Sequence, residues 1–175
     1  MHRLELEHVL RAAGALADEP ILVVVGSQAI LGAWPDAPDD LTVSLEVDLY
    51  PEEAPEKAIL IDGSIGEKSM FHETFGYYAH GVGPETATLP AGWRQRAVVI
   101  ENENTRGVRG VCPGLADLAI SKLAAGRPKD LDFVRGMMRR GKVRSADLAL
   151  LSQELAPESR ALVEARLRAL DGGGE

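Results

Sequence analysis

The run "ILVVV" at residues 21–25 constrains the fold more strongly than any other part of the sequence. Five consecutive apolar residues, most of them β-branched, are typical of a β-strand that is buried on both faces. The run ends at Gly26 and Ser27, and the next residues, "SQAILGAW", predict a short helix with Ser27 near its N-terminus. The chain is therefore expected to form a sheet that buries this strand.

A second predicted strand, residues 43–50, carries two acids. Glu46 and Asp48 are two positions apart, and side chains alternate between the faces of a strand, so both carboxylates project from one face, ~6–7 Å apart. Carboxylates this close repel each other, and burial would add several kcal/mol of desolvation. A divalent cation or a pair of basic side chains would compensate the charge. The simpler alternative is that both acids are solvated on an edge strand.

The rest of the pattern predicts a mixed sheet with helices before and after it. A helix is predicted over residues 3–17, a helix and a Gly-rich turn after Pro51, and strands over 94–102 and 107–113. Residues 67–92 hold half of the aromatic side chains between glycines and prolines. We interpret this stretch as an irregular excursion with short strands.

Four further helices are predicted from residue 114 onward. The sequence therefore predicts an α/β (α+β) fold, in which a small mixed sheet is followed by a C-terminal helical bundle. The predicted organisation is an α/β core at residues 1–112, C-terminal helices at 113–172 packed on that core as one compact unit, and a tail at 173–175.

Composition narrows the possible classes of function. The net charge of −8 argues against a surface that binds nucleic acid everywhere. Cys112 is the only cysteine, which excludes an internal disulfide and a cysteine-based zinc site, and its position predicts a buried thiol. No apolar run reaches the ~18–20 residues of a membrane span, and acids interrupt the N-terminal helix, unlike a signal peptide. We expect a cytoplasmic protein that does not enter a membrane.

The Gly-Ser turn and the paired acids make chemical sense together. Gly26 lets a phosphate approach the backbone closely, and the helix that follows would supply N–H groups and a positive dipole end. Ser27 can add a hydroxyl donor. Glu46 and Asp48 can hold Mg²⁺, which takes oxygen ligands and bridges to substrate phosphates. The sequence thus predicts a site for a magnesium-bound nucleotide.

At this point the chain resembles a known family. "VVGSQA" followed by "SLEVDLY" is similar to the signature of minimal nucleotidyltransferases of the polymerase-β-like superfamily. The run "DLAISKLAAGRPKDLDFV" resembles a downstream segment of the AbiEii-type toxins of abortive-infection systems, and "FHETFGYYAHGV" and "LPAGW" resemble an uncharacterised bacterial subgroup of them. The matches extend over residues 20–135.

The resemblance implies site residues in both halves of the chain. Gly26 and Ser27 would contact the triphosphate of a nucleoside triphosphate (NTP), and Glu46 and Asp48 would bind Mg²⁺ and act in catalysis. In the second half, the implied phosphate-binding and catalytic residues are Lys122, Arg127, Lys129 and Asp130.

The chain departs from the family pattern in its acids. Glu46 stands where aspartate is commoner, and the second acid of the downstream segment is displaced to Asp132. A third carboxylate is expected on a later strand, where "VVIENEN" offers Glu101 or Glu103.

Two sets of residues keep more than one interpretation. His72 and His80, with Tyr77 and Tyr78, are interpreted as packing the aromatic excursion, and the alternative is that they line a base or acceptor pocket. The stretch "RGMMRRGKVR" at 135–144 carries five basic residues and is either a solvated helix end or an RNA contact.

The resemblance implies an enzyme that transfers a nucleoside monophosphate from an NTP to a tRNA or protein acceptor. Its relatives belong to bacterial toxin–antitoxin and phage-defence systems, which implies a cognate partner from a two-gene system. The alternative function is a catalytically weak antitoxin or binding module with the same fold.

Overall fold

The computed structural model describes residues 1–172, so the predicted tail at 173–175 lies outside the described residues. The chain divides into two units. The core unit comprises Met1–Thr86 and Ala97–Cys112, and the helical unit comprises Ala87–Arg96 and the chain from Pro113 onward. The segment Ala87–Arg96 therefore groups with the C-terminal helices, although it precedes the last two strands of the core in sequence.

The core unit is built on one mixed sheet of five strands, which confirms the predicted fold class. The spatial order is β3-β2-β1-β5-β4, with β1 antiparallel to β2 and parallel to β5, β2 parallel to β3, and β4 antiparallel to β5. The predicted buried run is the central strand, and its last four residues are fully or almost fully buried. The strands are β1 Ile21–Val25, β2 Glu46–Pro51, β3 Tyr78–Gly81, β4 Val98–Ile100 and β5 Arg109–Cys112.

Four helices accompany this sheet. They are α1 Arg3–Ala17, α2 Ile30–Ala33, α3 Ala58–Ile65 and α4 Met70–Phe75. Helices α1 and α3 contact each other, and both contact β2 and β3. The bounds of α1 confirm the helix predicted at 3–17. Cys112 is fully buried, as expected, and burial raises the pKa of its thiol to about 12.

The aromatic excursion is more regular than its composition predicts. It contains helix α4, where the Ser69 hydroxyl accepts a hydrogen bond from the backbone N–H of His72 and Gly76 ends the helix in the left-handed region. It also contains β3, which pairs with β2 over four residues. Because β3 lies outside β2, the acid-bearing strand is an inner strand and not an edge strand. The edge-strand alternative is therefore wrong.

The helical unit contains four helices of its own within the described residues, α5 Leu115–Ala125, α6 Pro128–Arg139, α7 Ser145–Leu151 and α8 Pro157–Gly172. Gly126, in the left-handed region, ends α5 as expected. The guanidinium of Arg96 joins two acids, at 2.7 Å from an Asp117 oxygen and 2.9 Å from a Glu154 oxygen. This network ties the segment Ala87–Arg96 to the helices. Among the described residues, no helix combines the length and apolarity that a membrane crossing requires.

Candidate active site

The Gly-Ser turn lies directly beside the acid-bearing strand. The last residue of β1, Val25, pairs with Asp48 of the antiparallel strand β2. Gly26 follows with a φ of +71° and a ψ of −169°, a backbone conformation that residues with a side chain rarely adopt. A Cβ atom at this position would collide with the Asp48 carboxylate. Gly26 and Asp48, which are 22 positions apart in the sequence, therefore meet at the end of the β1–β2 strand pair.

The helix predicted after Gly26 is less regular than expected. Ser27–Ala29 form a 3₁₀ turn, and the α-helical part, α2, has only four residues. A helix this short carries a small dipole, so the backbone N–H groups of the turn contribute more to anion binding here than a helix macrodipole does.

Glu46 and Asp48 each face a partner on the neighbouring strand. In the parallel pairing of β2 with β3, Glu46 lies opposite Tyr78 and Asp48 opposite His80. The Tyr78 hydroxyl donates a hydrogen bond of 3.1 Å to Glu46 Oε2, and His80 Nδ1 lies 2.8 Å from Asp48 Oδ1. The strand register thus assigns each acid its own hydrogen-bonding partner.

Tyr78 stays protonated over the whole physiological pH range. Burial, followed by the negative charge of Glu46 and the hydrogen bond to it, raises the pKa of Tyr78 to about 12. The hydroxyl is therefore a neutral donor that orients the Glu46 carboxylate without cancelling its charge.

The two acids and His80 form a group with the spacing of metal ligands. One ligand atom from each of the three lies within 4.8 Å of the other two, and the side chains of Asp48 and His80 are 22% and 51% exposed. The carboxylate oxygens fit Mg²⁺, which prefers oxygen ligands, whereas imidazole nitrogen is a ligand typical of transition metals. The residues present therefore fit a divalent cation that is open to solvent and substrate.

The resemblance leads us to expect a third acid, but the third member of this candidate group is a histidine. Glu101 follows β4, which is the edge strand on the other side of the sheet from β2 and β3. Its carboxylate lies 3.4 Å from the Arg109 guanidinium, and Glu103 begins a 3₁₀ turn. Neither belongs to the metal-binding group within the described part of the chain. The sequence interpretation missed His80 as a member, although "YAH" repeats the two-residue spacing of the acids.

The other aromatic residues of the excursion pack as predicted. The His72 ring is tilted against the Tyr78 ring, with the ring centres 4.5 Å apart, and accepts a hydrogen bond from the backbone N–H of Lys68. Tyr77 contacts His8 of α1, and its hydroxyl lies 2.8 Å from the His8 ring nitrogen. The packing interpretation therefore holds for His72 and Tyr77 and fails for His80.

The predicted residues of the second half form a cluster within the helical unit. Asp130 is 1% exposed, and its carboxylate lies 3.3 Å from Lys122 Nζ and 2.6 Å from Arg127 Nε. Burial alone would raise the pKa of Asp130, but hydrogen bonds and positive charge from Arg127 and Lys122 hold it below its ordinary value. Lys129 is exposed at the start of α6.

This cluster is an ion-pair network. Lys122 is 8% exposed, and its ammonium lies 5.5 Å from the centre of the Phe133 ring. Asp130 is the counter-ion of Lys122 and Arg127. Among the described residues, it does not belong to a group of side chains with the spacing of metal ligands. Asp132, the displaced acid, is exposed and pairs with Arg135.

Comparison with known proteins identifies the family. The sequence profile described as "Nucleotidyltransferase of unknown function (DUF6036)" matches residues 4–167. No curated protein and no solved structure matches the chain. Because the matched region includes both units, the Gly-Ser turn, the paired acids and the Lys122 cluster, the chain belongs to this family of nucleotidyltransferases of unknown function.

Proposed function

We propose that this nucleotidyltransferase transfers a nucleoside monophosphate from an NTP to a hydroxyl of an RNA, in particular tRNA, or of a protein. The proposal places the reaction in the cytoplasm, where NTPs and tRNA are found, and gives it a Mg²⁺ requirement. The observation that carries it is the contact between Gly26 and Asp48, because this contact brings a phosphate-accessible turn to a carboxylate that can hold the cation.

Each residue of the core unit has a role in this proposal. Gly26 leaves the backbone open for the triphosphate, and Ser27 donates its hydroxyl or backbone N–H to it. Glu46 and Asp48 hold the cation, and Tyr78 keeps the Glu46 carboxylate in orientation through its hydrogen bond. When bound, Mg²⁺ neutralises phosphate charge and makes the acceptor hydroxyl more acidic.

The basic residues of the helical unit supply positive charge. A departing pyrophosphate carries several negative charges, and a lysine with restricted rotamers neutralises them at low entropic cost. We assign this role to Lys122, which Asp130 holds in one position, and we assign phosphate contacts to Arg127 and Lys129.

The biological setting that we propose is a bacterial toxin–antitoxin or abortive-infection system with a cognate partner protein. It is supported by the likeness of the Lys122–Asp130 segment to AbiEii-type toxins. The basic stretch at 135–144 supports an RNA acceptor, since Arg139, Arg140 and Lys142 are exposed side chains at the end of α6 and just after it.

A second candidate is a catalytically weak antitoxin or binding module. One observation favours it: the metal-binding group of the described residues contains two carboxylates and a histidine, where an active family member is expected to have three carboxylates.

One experiment separates the two candidates. The purified protein is incubated with each labelled NTP, Mg²⁺ and total tRNA or cell lysate, beside the variant Asp48→Asn. Label in an RNA or protein that requires Asp48 supports the enzyme. Stabilisation by Mg²⁺-NTP without transfer of label supports the binding module. If neither transfer nor stabilisation is observed, the chain has no NTP site and both candidates fail.

A further inference from the structure

We infer that His80 is the third protein ligand of the cation site and that it makes the site prefer Mn²⁺ to Mg²⁺. The inference rests on the proposed function, since it concerns the cation held by Glu46 and Asp48. It goes further by assigning a residue outside the acid-x-acid motif to that cation.

The strand register brings the imidazole to the acids. His80 lies opposite Asp48 in the parallel β2–β3 pairing, and Glu46 lies two residues before Asp48 on the same face. The three ligand atoms lie within 4.8 Å of one another. Ligands at about 2.0–2.2 Å from one ion lie at most about 4.4 Å apart, so a small side-chain rotation suffices for all three to share it.

The side chain of His80 has the freedom to make that rotation. It is 51% exposed, and the neighbouring residues of β3 pack on the opposite face, where Ala79 is fully buried. In the present arrangement one ring nitrogen contacts Asp48, so the imidazole is already oriented toward the acids.

The chemistry of the ligands selects the cation. Mg²⁺ takes oxygen ligands almost exclusively, whereas imidazole binds transition metals, and carboxylates suit Mg²⁺, Ca²⁺ and Mn²⁺. Mn²⁺ is the ion that combines the carboxylate preference of Mg²⁺ with tolerance for nitrogen. The group contains no thiolate, and the one cysteine, Cys112, is buried on β5, so a thiolate-bound metal is excluded from it.

The test measures metal binding directly, without nucleotide and without turnover. Metal-free full-length protein is titrated with Mn²⁺, with free Mn²⁺ followed by electron paramagnetic resonance, and Mg²⁺ affinity is obtained by competition. The variants are His80→Asn, Asp48→Asn and, as a matched control on a neighbouring histidine outside the group, His72→Asn. Circular dichroism without metal checks that each variant is folded.

We expect the wild-type protein and His72→Asn to bind Mn²⁺ about tenfold more tightly than Mg²⁺. His80→Asn should lose about tenfold or more in Mn²⁺ affinity and little in Mg²⁺ affinity. Pulsed resonance of bound Mn²⁺ should show coupling to a ¹⁴N nucleus in the wild-type protein that disappears in His80→Asn.

Two results would overturn the inference. One is equal Mn²⁺ and Mg²⁺ affinity that His80→Asn leaves unchanged. The other is loss of affinity in His80→Asn without ¹⁴N coupling in the wild-type protein, because His80 would then act only by orienting Asp48. The variant Asp48→Asn tests the proposed function independently of His80. If this variant binds Mn²⁺ as tightly as the wild-type protein, Asp48 is not a cation ligand and the proposed function is contradicted.

Discussion

The acid pair on β2 of the core unit and the buried acids of the helical unit are partnered in opposite ways. In the core unit, Glu46 accepts a hydrogen bond from a tyrosine and Asp48 contacts an imidazole, neither of which is a permanent cation. In the helical unit, Asp130 contacts both Arg127 and Lys122, and a guanidinium holds the buried Asp117. Arginine and lysine neutralise Asp117 and Asp130 in the helical unit, whereas the partly exposed carboxylates of Glu46 and Asp48 are left to a cation from solution. The first arrangement is expected to maintain the fold, and the second to bind and react.

The largest expected effect is on activity in the core unit. Asp48→Asn keeps the shape of the side chain but removes a charged ligand, and transfer should fall about a thousandfold, or about 4 kcal/mol in the activation barrier. Stability should stay unchanged or rise slightly, because repulsion from Glu46 is relieved. Single-turnover transfer and thermal unfolding are the measurements. An Asp48→Asn variant that is active but less stable would show that Asp48 maintains the fold and does not act in catalysis.

The next effect is on the stability of the helical unit. Asp130→Ala leaves the buried Lys122 without its counter-ion and should destabilise the fold by about 3 kcal/mol, as expected for one partner of a buried pair. Asp147→Ala is the matched control, since Asp147 pairs with Arg144 at the surface, and its melting temperature should match that of the wild-type protein. Equal melting temperatures for both variants would contradict the structural role of Asp130.

Lys122 tests whether the helical unit also takes part in chemistry. Lys122→Ala removes the charge assigned to the leaving pyrophosphate and should slow transfer by about two orders of magnitude. Asp130 keeps Arg127 as a partner in this variant, so the loss of stability should be smaller than for Asp130→Ala. Full activity of the folded variant would confine the chemistry to the core unit.

Gly26 tests the contact that joins the two halves of the motif. Gly26→Ala places a side chain at a positive φ with an extended ψ, a conformation nearly restricted to glycine, at about 1–3 kcal/mol, and displaces the Asp48 carboxylate. Stabilisation by Mg²⁺-NTP should be lost. Gly63→Ala, within α3 with open space around it, is the control and should stabilise the protein by about 0.5–1 kcal/mol. Scanning calorimetry with and without Mg²⁺-NTP distinguishes the two variants.

The smallest effect is expected in acid. The pKa of Asp130 is lower in the folded protein than in the unfolded chain, so its ionised form stabilises the fold above the unfolded value of about 3.9. That stabilisation is lost as the pH falls through the folded pKa and is constant between about pH 5 and 7. Asp130→Asn should therefore be less stable than the wild-type protein at neutral pH, and the difference should narrow below about pH 4. Urea unfolding at several pH values measures it.

The sequence predicts the regular parts of both units because their signals are local. The apolar run at 21–25 and the helix at 3–17 appear with the predicted bounds, since burial periodicity sets them. The strand at 94–102 shrinks to Val98–Ile100 because the turn that begins at Pro90 and Gly92 continues as a 3₁₀ turn over Trp93–Arg96, further than those two residues indicate.

The composition of the candidate site depends on a long-range pairing that periodicity cannot reveal. Glu46 and Asp48 are recognisable from their spacing, but His80 becomes their neighbour only through the parallel pairing of β2 with β3. Short strands are expected in the excursion, but the surrounding glycines and a length of only four residues leave the bounds and the partner strand of β3 undetermined. The partners of Lys122 were easier to anticipate, since Arg127 and Asp130 lie five and eight positions after it, across the short turn between α5 and α6.

The parallel pairing of β2 with β3 also bears on how the site assembles as the chain folds. A parallel pair requires a crossover, and here the connection contains α3 and α4 and brings His80 back to Asp48, 32 positions earlier. Closing such a loop costs conformational entropy, and the four residue pairs between β2 and β3 offset that cost only in part. A cation bound by Glu46 and Asp48 on β2 and by His80 on β3 would stabilise the pairing of these two strands. Amide hydrogen exchange in β3 should then slow on metal binding, while exchange in β4 and β5 stays the same.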